Sequence, residues 1–418
     1  MERNPVEKSD KHKTVAIACQ GGGMHAAFAV GVLTEILKDI EQQKKPKVSE
    51  NQKLIELVGL SGTSAGALCA LMVWYGLAPK TGIPGSGSEP EAREKLNQFW
   101  DDFVAKAGAE NVLNFLTYRT FWLEEMEIPM LGVNSPIFSS LNPYGAIFKA
   151  AADYLPNFGV RKHYIDLDEL LAVACPALKK MNIDKAIDWQ SVKTRVLIGA
   201  SEVVNGLECV FDSDVNKQKQ HENQGMQPIV KPKDKAKYWR QRLPLSLSGV
   251  AASGTLPFFR KAEHINNSHY WDGLYSQNPP VREFLGGTDY KDEVPDELWI
   301  VRINPQQWPH VPQTNKDIQD RQNELMGNLS LNKELDFIMT VNEWQQRYQH
   351  EAFGQDHKPV TVRTIKMNKA TADDLSYSSK FDRSSERMNR LRQEGESVAR
   401  NWLGKWHNNT VGEYPSDA

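Results

Sequence analysis

Two successive units of strand, glycine turn and helix near the start of the chain constrain its fold most. In the first unit, the β-branched and apolar run 14–19 is followed by three glycines and by residues 24–40, whose apolar side chains recur at helical spacing. In the second unit, the run 53–60 is followed by another glycine turn and by the apolar stretch 67–74. Parallel strands need a long crossover, which a helix usually supplies. The two units therefore predict a parallel sheet with crossover helices.

Later segments extend this architecture. Arg195–Ser201 and Leu298–Ile303 have the composition of core strands, and Asn205-Gly206 is a typical hairpin turn. Residues 91–190 predict a mostly helical insertion, whereas the polar, lysine-rich residues 213–237 predict a surface loop. The expected fold is of the α/β class, a three-layer α/β/α sandwich around a mainly parallel sheet.

We expect three parts along the chain. Residues 1–12 are polar and predict a flexible N-terminal tail. Residues 13–305 contain the strand–turn–helix units and form the main domain. Residues 306–418 are charged and predict a helical C-terminal extension that packs back onto this domain.

Composition restricts the classes of function and the cellular location. The chain is 25% charged with a formal net charge of -3, a balance that does not indicate general nucleic-acid binding, which needs a basic face. The longest uncharged apolar run, residues 65–78, is too short to span a bilayer, and the N-terminus has no secretory pattern. The four widely spaced cysteines favour reduced thiols. We expect a cytoplasmic protein, with peripheral contact to a membrane left open.

The turn of the second unit, Gly62-Thr63-Ser64-Ala65-Gly66, matches the G-x-S-x-G pattern of a serine nucleophile. The serine of such a turn lies on a strained connection between strand and helix, where only small flanking residues let the backbones pack. The pattern is short enough to occur by chance. The strand before it and the apolar helix after it favour a nucleophile over an ordinary turn.

The glycine run Gly21-Gly22-Gly23 fits two kinds of site. Its consecutive N–H groups could bind a developing oxyanion. Together with Ala26, the run also fits the turn of a dinucleotide site, which requires an acidic residue at the end of the second strand. That strand ends in Leu60-Ser61-Gly62, which contains no carboxylate. The oxyanion hole is therefore favoured.

Asp272-Gly273 offers a carboxylate that could act as a base. An Asp-Gly pair is often only a turn. The chain also contains ten histidines, and a Ser-His-Asp triad stays open on this ground. His264, His269 and His310 lie in the right half of the sequence for such a triad.

Taken in order, the glycine run, the G-x-S-x-G turn and the Asp-Gly pair resemble the three motifs of the patatin-like phospholipases. Residues 252–257 (Ala-Ser-Gly-Thr-Leu-Pro) resemble a small-residue stretch of that family. The likeness covers about residues 13–305. Farther on, residues 321–331 resemble a helical extension of bacterial members.

The resemblance implies a lipid acyl-ester hydrolase of the phospholipase A or lysophospholipase type. It implies a Ser-Asp dyad without histidine, an acyl-enzyme on the serine that water hydrolyses, and no metal or cofactor. The implied substrate is a lipid or another acyl ester. The implied site consists of Ser64 as nucleophile, Asp272 as general base, Gly21, Gly22 and Gly23 as oxyanion hole, Gly62, Thr63, Ala65 and Gly66 as the turn around the nucleophile, and Gly273 after the base.

The chain departs from the family pattern near these motifs. His25 and Ala26 stand where Arg or Lys and Gly are usual, and Leu274 stands where a second small residue is common. The loss of a fixed charge at position 25 weakens the expectation of an anionic head group. An esterase or lipase for neutral lipids, small esters or polyesters is therefore one alternative, and a catalytically inactive binding or scaffold protein is another. We expect His25 to be structural.

The stretch 115–123 is rich in aromatic and apolar residues. Such a cluster in a helix is more often buried core than a face that contacts lipid. We expect it to belong to the core.

Overall fold

In the described part of the chain, nine strands form one central sheet. The computed structural model of the chain describes residues 11–45, 53–106, 108–125, 159–223, 240–257, 260–286, 294–308, 310–350 and 358–415. In chain order the strands are β1 (His12–Cys19), β2 (Leu54–Thr63), β3 (Arg195–Glu202), β4 (Leu207–Asp212), β5 (Arg240–Pro244), β6 (Glu263–Ile265), β7 (Ser268–Asp272), β8 (Glu297–Arg302) and β9 (Thr361–Lys366).

The sheet is mainly parallel, as predicted. Its main order is β5-β4-β3-β2-β1-β8-β9, and β7 pairs with both β3 and β6. Neighbouring strands from β3 through β2, β1 and β8 to β9 run in parallel. β3 and β4 are antiparallel. They form the hairpin that Asn205-Gly206 predicted, with Gly206 at a positive φ of 67°.

Helices cover both faces of the sheet. They are α1 (Ala27–Gln43), α2 (Ala65–Leu77), α3 (Glu89–Phe103), α4 (Gly108–Glu125), α5 (Lys162–Ile165), α6 (Leu167–Ala174), α7 (Pro176–Met181), α8 (Ile183–Ala186), α9 (Ser213–Asn223), α10 (Leu247–Ser253), α11 (Glu283–Gly286), α12 (Asn315–Arg347), α13 (Lys369–Asp373) and α14 (Ser385–His407).

Alternate residues of β1 enter two separate cores. Val15 and Ile17 pack in the core shared with α1 and α2. Ala16 and Ala18 pack in a second core with Leu331 and other apolar residues of α12. Because successive side chains of a strand point to opposite faces, this arrangement gives the predicted three layers.

Helix α9 contradicts one expectation. Residues 213–223 are helical, so the prediction of a surface loop is wrong for them. One polar residue of this helix fixes it to the rest of the fold. The buried Asn216 accepts a hydrogen bond from the N–H of Leu245 at 2.7 Å and donates to Asp184 at 2.8 Å. Residues 224–237 lie outside the described part.

The C-terminal region is helical in α12 and α14, as expected, but it also contributes a strand. β9 runs parallel to β8 and forms an edge of the sheet. Arg363 of β9 donates to Glu297 of β8 at 3.0 Å, and Val362 and Ile365 are buried. The sheet therefore continues past residue 305, and the domain boundary placed there stays a prediction.

Helix α4 contains the aromatic stretch and is only partly core. Phe121 is buried and stacks on Phe381 with ring centroids 4.0 Å apart. Phe115 and Leu116 are more than half exposed, at 57% and 56%, so the core prediction is wrong for these two. The side chain of Leu123 lies outside the described residues. No helix of the described ranges is both long and apolar enough to cross a membrane.

Candidate active site

Two strands that run in opposite directions end at the same point on β3. β2 pairs in parallel with residues 195–199 of β3, and β7 pairs antiparallel with residues 200–202. β4 occupies the other edge of β3 over residues 197–202. Both β2 and β7 therefore lie on the same edge, and their carboxyl ends meet.

This meeting brings together two of the residues that the sequence singled out. Thr63, the last residue of β2, is opposite Gly199. Asp272, the last residue of β7, is opposite the next residue, Ala200. Ser64 follows Thr63 directly, and it therefore lies beside Asp272 although 208 positions separate the two in the chain.

Ser64 lies on a strained connection between β2 and α2. Its φ of 56° and ψ of -129° are unusual for a residue with a side chain. Its N–H donates to Oγ of Ser253 at 2.9 Å, and that hydroxyl donates to the carbonyl of Gly199 at 2.6 Å. Ser253 belongs to the small-residue stretch 252–257, so this stretch supports the strained turn.

The glycines on either side of Ser64 are required by close backbone contacts. A Cβ on Gly62 would lie 2.2 Å from the carbonyl oxygen of Gly66. A Cβ on Gly66 would lie 2.2 Å from the carbonyl oxygen of Cys19 in β1. Residues with a side chain would push α2 away from the sheet at both positions, which is the steric reason for the G-x-S-x-G spacing.

The other turn residues also lie in this region. Thr63 donates its hydroxyl to the carbonyl of Gln277 at 2.7 Å. Ala65 is buried as the first residue of α2. A Cβ on Gly273 would lie 2.6 Å from the carbonyl of Gly199, so the Asp-Gly turn packs against β3.

The carboxyl of Asp272 is fully buried, and its two oxygens differ in their hydrogen bonding. Oδ1 accepts from the N–H of Leu274 at 2.8 Å. Oδ2 has no hydrogen-bond partner in the described part of the chain. Burial raises the pKa of Asp272 to about 7, while the Leu274 amide and the Ser64 hydroxyl lower it.

The contact between Ser64 and Asp272 is loose. The Ser64 hydroxyl is close enough to lower the pKa of the carboxyl. Within the described residues, however, Oδ2 has no hydrogen-bond partner, and Oδ1 accepts from the Leu274 amide. Loose contacts of this kind are common in catalytic pairs without substrate and tighten when substrate binds.

The glycine run lies against Ser64. A Cβ on Gly21 would lie 2.9 Å from the Cβ of Ser64. The N–H of Gly21 donates to Oδ1 of Asn278 at 2.6 Å. The N–H groups of Gly22 and Gly23 have no acceptor among the described residues. The resemblance implied that all three N–H groups form the oxyanion hole. Among the described residues, only two of them lack an acceptor, because Asn278 binds the first.

Polar side chains outside the three motifs hold this loop. Gln20 accepts from the N–H groups of Ile303 and Asn304 at 3.1 and 3.0 Å. Its amide donates to Oδ1 of Asn328 on α12 at 2.9 Å. Asn328 lies within residues 321–331, which resemble a helical extension of bacterial patatin-like proteins. This resemblance was the one sequence signal that pointed to Asn328. For Gln20 no sequence signal existed.

His25 has the structural role that was expected of it. It is buried, and its Nε2 lies 2.7 Å from the hydroxyl of Ser379. Burial, together with the positive charges of Lys380 and Arg387, holds the pKa of His25 well below its usual value. The imidazole is therefore neutral.

The histidines considered for a triad lie away from the pair. His264 and His269 are cross-strand partners on the β6–β7 hairpin and are exposed. His310 is exposed beside Trp308. No histidine side chain in the described ranges hydrogen-bonds to Ser64 or Asp272. Within the same ranges, no cluster of His, Cys, Asp or Glu is arranged to hold a metal ion, and metal independence stays a prediction.

Comparison with known families places the chain. The family described as Patatin-like phospholipase matches residues 17–285, which include the glycine run, the G-x-S-x-G turn and the Asp-Gly pair. The chain therefore belongs to the patatin-like phospholipase family.

Other comparisons add little. No curated protein sequence matches the chain. Among solved structures it is similar to full-length ExoU, in complex with full-length SpcU from the type III secretion system of Pseudomonas aeruginosa. The identity is 10% and the TM-score 0.29, over 94% of this chain and 53% of the other. The chain thus spans about half the length of that protein, and a TM-score this low does not establish a shared fold.

Proposed function

We propose that this protein hydrolyses fatty acyl esters of phospholipids or lysophospholipids, with Ser64 as the nucleophile and Asp272 as the general base. One observation carries the proposal: β2 and β7 end head to head on β3. This places a serine on a strained turn beside a buried carboxyl, one oxygen of which has no hydrogen-bond partner in the described ranges. A carboxylate in a dry site is a stronger base than one in water.

The reaction has two halves. In the first, the hydroxyl of Ser64 gives its proton to Oδ2 of Asp272 while Oγ attacks the ester carbonyl. The tetrahedral intermediate collapses to an acyl-enzyme, and the alcohol leaves with the proton from Asp272. In the second half, Asp272 takes a proton from water as the water attacks the acyl-enzyme. The fatty acid leaves, and Ser64 recovers its proton from Asp272.

The oxyanion of each intermediate needs fixed donors beside Ser64. We assign this role to the N–H groups of Gly22 and Gly23, which have no acceptor among the residues that the structure describes. Gly21 keeps its predicted place in the loop, but its N–H is bound to Asn278 and fixes the position of the loop. Donors already held in place cost no reorganisation when the charge develops, and each can contribute about 100-fold in rate.

Labelling with a fluorophosphonate probe tests whether the site is active. We expect wild type to be labelled, and Ser64→Ala to be unlabelled. The matched control is Ser191→Ala, because Ser191 is exposed at the opposite end of the sheet, just before β3. Equal labelling of Ser64→Ala would contradict the proposal. A folded wild type that is never labelled would favour an inactive scaffold.

Neutral His25 supports a second candidate, an esterase or lipase for substrates without phosphate. The imidazole offers no positive charge to an anionic head group. A panel of acyl donors with and without a phosphate group, each with the same acyl chain, separates the two. Preference for the phosphate-containing donors would exclude the neutral-substrate candidate.

We further propose a cytoplasmic location with peripheral contact to a membrane. The four cysteines are free and buried, which fits a reducing compartment. Helix α4 supports the membrane contact because it exposes Val112, Phe115 and Leu116 on one face. The other face of α4 meets the short turn 378–381, which packs beside the glycine run.

A further inference from the structure

Lys380 is a buried cation that forms no salt bridge within the described part of the chain. It lies in the short 3-10 turn Ser378–Phe381 and is only 9% exposed. Its Nζ donates to Oδ1 of Asn304 at 3.3 Å and to Oδ1 of Asn323. Both acceptors are neutral amides, and no carboxylate in the described part forms a salt bridge with Lys380. A buried charge of this kind is costly, and such groups are usually paired.

This lysine adjoins the glycine run through two contacts. A Cβ on Gly23 would lie 2.4 Å from the carbonyl oxygen of Lys380, so the two turns touch. Oδ1 of Asn304, which accepts from Lys380, would lie 3.7 Å from a Cβ on Gly22. Nδ2 of the same asparagine lies 3.5 Å from the carbonyl of Gly21. One amide side chain therefore separates the ammonium group from the loop.

Charged groups on the neighbouring elements define the electrostatics around Lys380. Asp320 and Glu324 of α12 favour its charged form, but burial outweighs them and lowers the pKa of Lys380 to about 8. His25 on the glycine turn is neutral, and Arg387 on α14 adds a second positive charge on that side. The ammonium group is therefore charged at neutral pH and neutral in mild alkali.

We propose that Lys380 is a positioning residue for hydrolysis: through Asn304 it orders the glycine run, and its charge favours the oxyanion that forms there. This inference rests on the proposed function. It gives the C-terminal extension a direct part in a site whose motifs all precede residue 274. It also predicts that catalysis weakens in mild alkali, when the ammonium group loses its proton.

Three variants separate a role in catalysis from a role in folding. Lys380→Met removes the charge, and Lys380→Arg keeps it at higher pH. The control Lys80→Met removes another buried lysine, which is 6% exposed and pairs with Glu91 at 2.5 Å near the opposite end of the sheet. Each is assayed with a soluble p-nitrophenyl ester between about pH 6 and 10, with Ser64→Ala as the blank.

For wild type we expect kcat/KM to fall above about pH 8. Lys380→Met should lower kcat roughly 10- to 100-fold with KM little changed, the effect of a unit charge acting over several ångströms. Lys380→Arg should keep kcat and lose the alkaline fall. Lys80→Met should match wild type in both kcat and pH profile.

The inference is overturned if Lys380→Met keeps the kcat and the alkaline limb of wild type. If Lys380→Met does not fold, Lys380→Arg decides, because an unchanged alkaline limb in that variant also overturns the inference. The inference is also overturned if the activity of wild type does not fall at alkaline pH. Activity in Ser64→Ala would instead refute the proposed function, which keeps the two failures distinct.

Discussion

The Asp272 carboxyl links the reactivity of the site to the stability of the fold. In the unfolded chain it ionises near 3.8, and in the folded protein burial moves this pKa to about 7. Between these two pH values the folded protein binds more protons than the unfolded chain. The contribution of Asp272 to stability therefore decreases as the pH rises from about 4 to 7. Above pH 7 the site holds a buried charge, which is both a good base and a destabilising group.

We predict that Asp272→Asn is more stable than wild type at pH 8, because it removes this buried charge. The free energy of unfolding should rise by up to about 4 kcal/mol, the equivalent of the pKa shift. At pH 4 the two proteins should differ little. Urea unfolding at both pH values measures this effect.

Asp212 provides a control of opposite sign. It is equally buried, but it pairs with Arg195 at 2.7 Å and Arg242 at 2.5 Å, and these charges lower its pKa to about 2. Asp212→Asn should therefore destabilise the protein at pH 8 by about 3 kcal/mol or more. A loss of stability in Asp272→Asn at pH 8 would contradict the account of its environment.

At the scale of elements, helix α10 holds the strained turn in place. Ser253 is its last residue, and its hydroxyl bridges the N–H of Ser64 and the carbonyl of Gly199. Without this bridge the Ser64 N–H would lose its acceptor, and the turn would be free to relax.

We predict that Ser253→Ala lowers kcat of ester hydrolysis roughly 10-fold or more with KM nearly unchanged, because misplacement of a nucleophile affects the chemical step. The control is Ser246→Ala on the same helix. Ser246 caps the N-terminus of α10 by accepting from Gly249 at 3.0 Å. The Ser246→Ala substitution should lower the free energy of unfolding by about 1 kcal/mol and leave kcat unchanged. Equal kcat in Ser253→Ala and Ser246→Ala would contradict the role of the bridge.

Helix α4 carries a second prediction at this scale. Val112, Phe115 and Leu116 are 59%, 57% and 56% exposed, and their spacing places them on one helical face. We expect that replacing all three with serine weakens binding to phosphatidylcholine–phosphatidylglycerol vesicles at least about 10-fold, because apolar area is lost from the interface. Vesicle sedimentation measures binding, and a soluble ester measures the intact site.

The control for this prediction is Ile83→Ser, since Ile83 is 56% exposed after α2, at the opposite end of the sheet. It should bind vesicles as wild type does. If the triple variant also binds as wild type does, α4 is not the membrane-contacting face. If the triple variant loses hydrolysis of the soluble ester as well, the face belongs to the fold or the site and not to a membrane contact.

Local rules explain which elements the sequence could predict. The turn around Ser64 was predictable because the backbone contact that excludes a side chain at Gly62 is made with Gly66, only a few residues away. The loop predicted over residues 213–223 was wrong because the helix there depends on Asn216 bonding to Leu245, 29 residues away. Strand β9 was missed because its few apolar residues are interspersed with threonine and basic residues. Pairing with β8, about 60 residues earlier, reveals their buried face.

For the whole molecule, the sequence predicted the motifs but not the long-range contacts that hold them in place. The three motifs and the strand–turn–helix units that indicate an α/β fold lie within residues 13–305, although α12 completes a layer and β9 extends the sheet. Asn278, which binds Gly21, and Lys380, which adjoins Gly23, have no motif around them. Each acts across more than 250 positions of sequence. Such long-range polar contacts become visible only when the sheet brings its strand ends together.

At this scale the C-terminal extension is part of the architecture of the site. Asn328 of α12 holds Gln20 beside the glycine run, and β9 extends the sheet. The three-dimensional arrangement also changes what a pH profile can show. A fall of activity below about pH 7 would suggest histidine from the sequence alone, but the pKa of buried Asp272 predicts the same fall. Only substitution of the carboxyl distinguishes them.

The most direct test of the central claim is hydrolysis of a short-chain p-nitrophenyl ester by wild type, Ser64→Ala and Asp272→Asn between about pH 5 and 9. We predict that kcat/KM of wild type rises with an apparent pKa near 7, because only the ionised carboxyl accepts the proton of Ser64. Both variants should be folded and lose at least about 1,000-fold in rate. A folded Asp272→Asn that keeps wild-type activity and its acid limb would show that the base lies elsewhere.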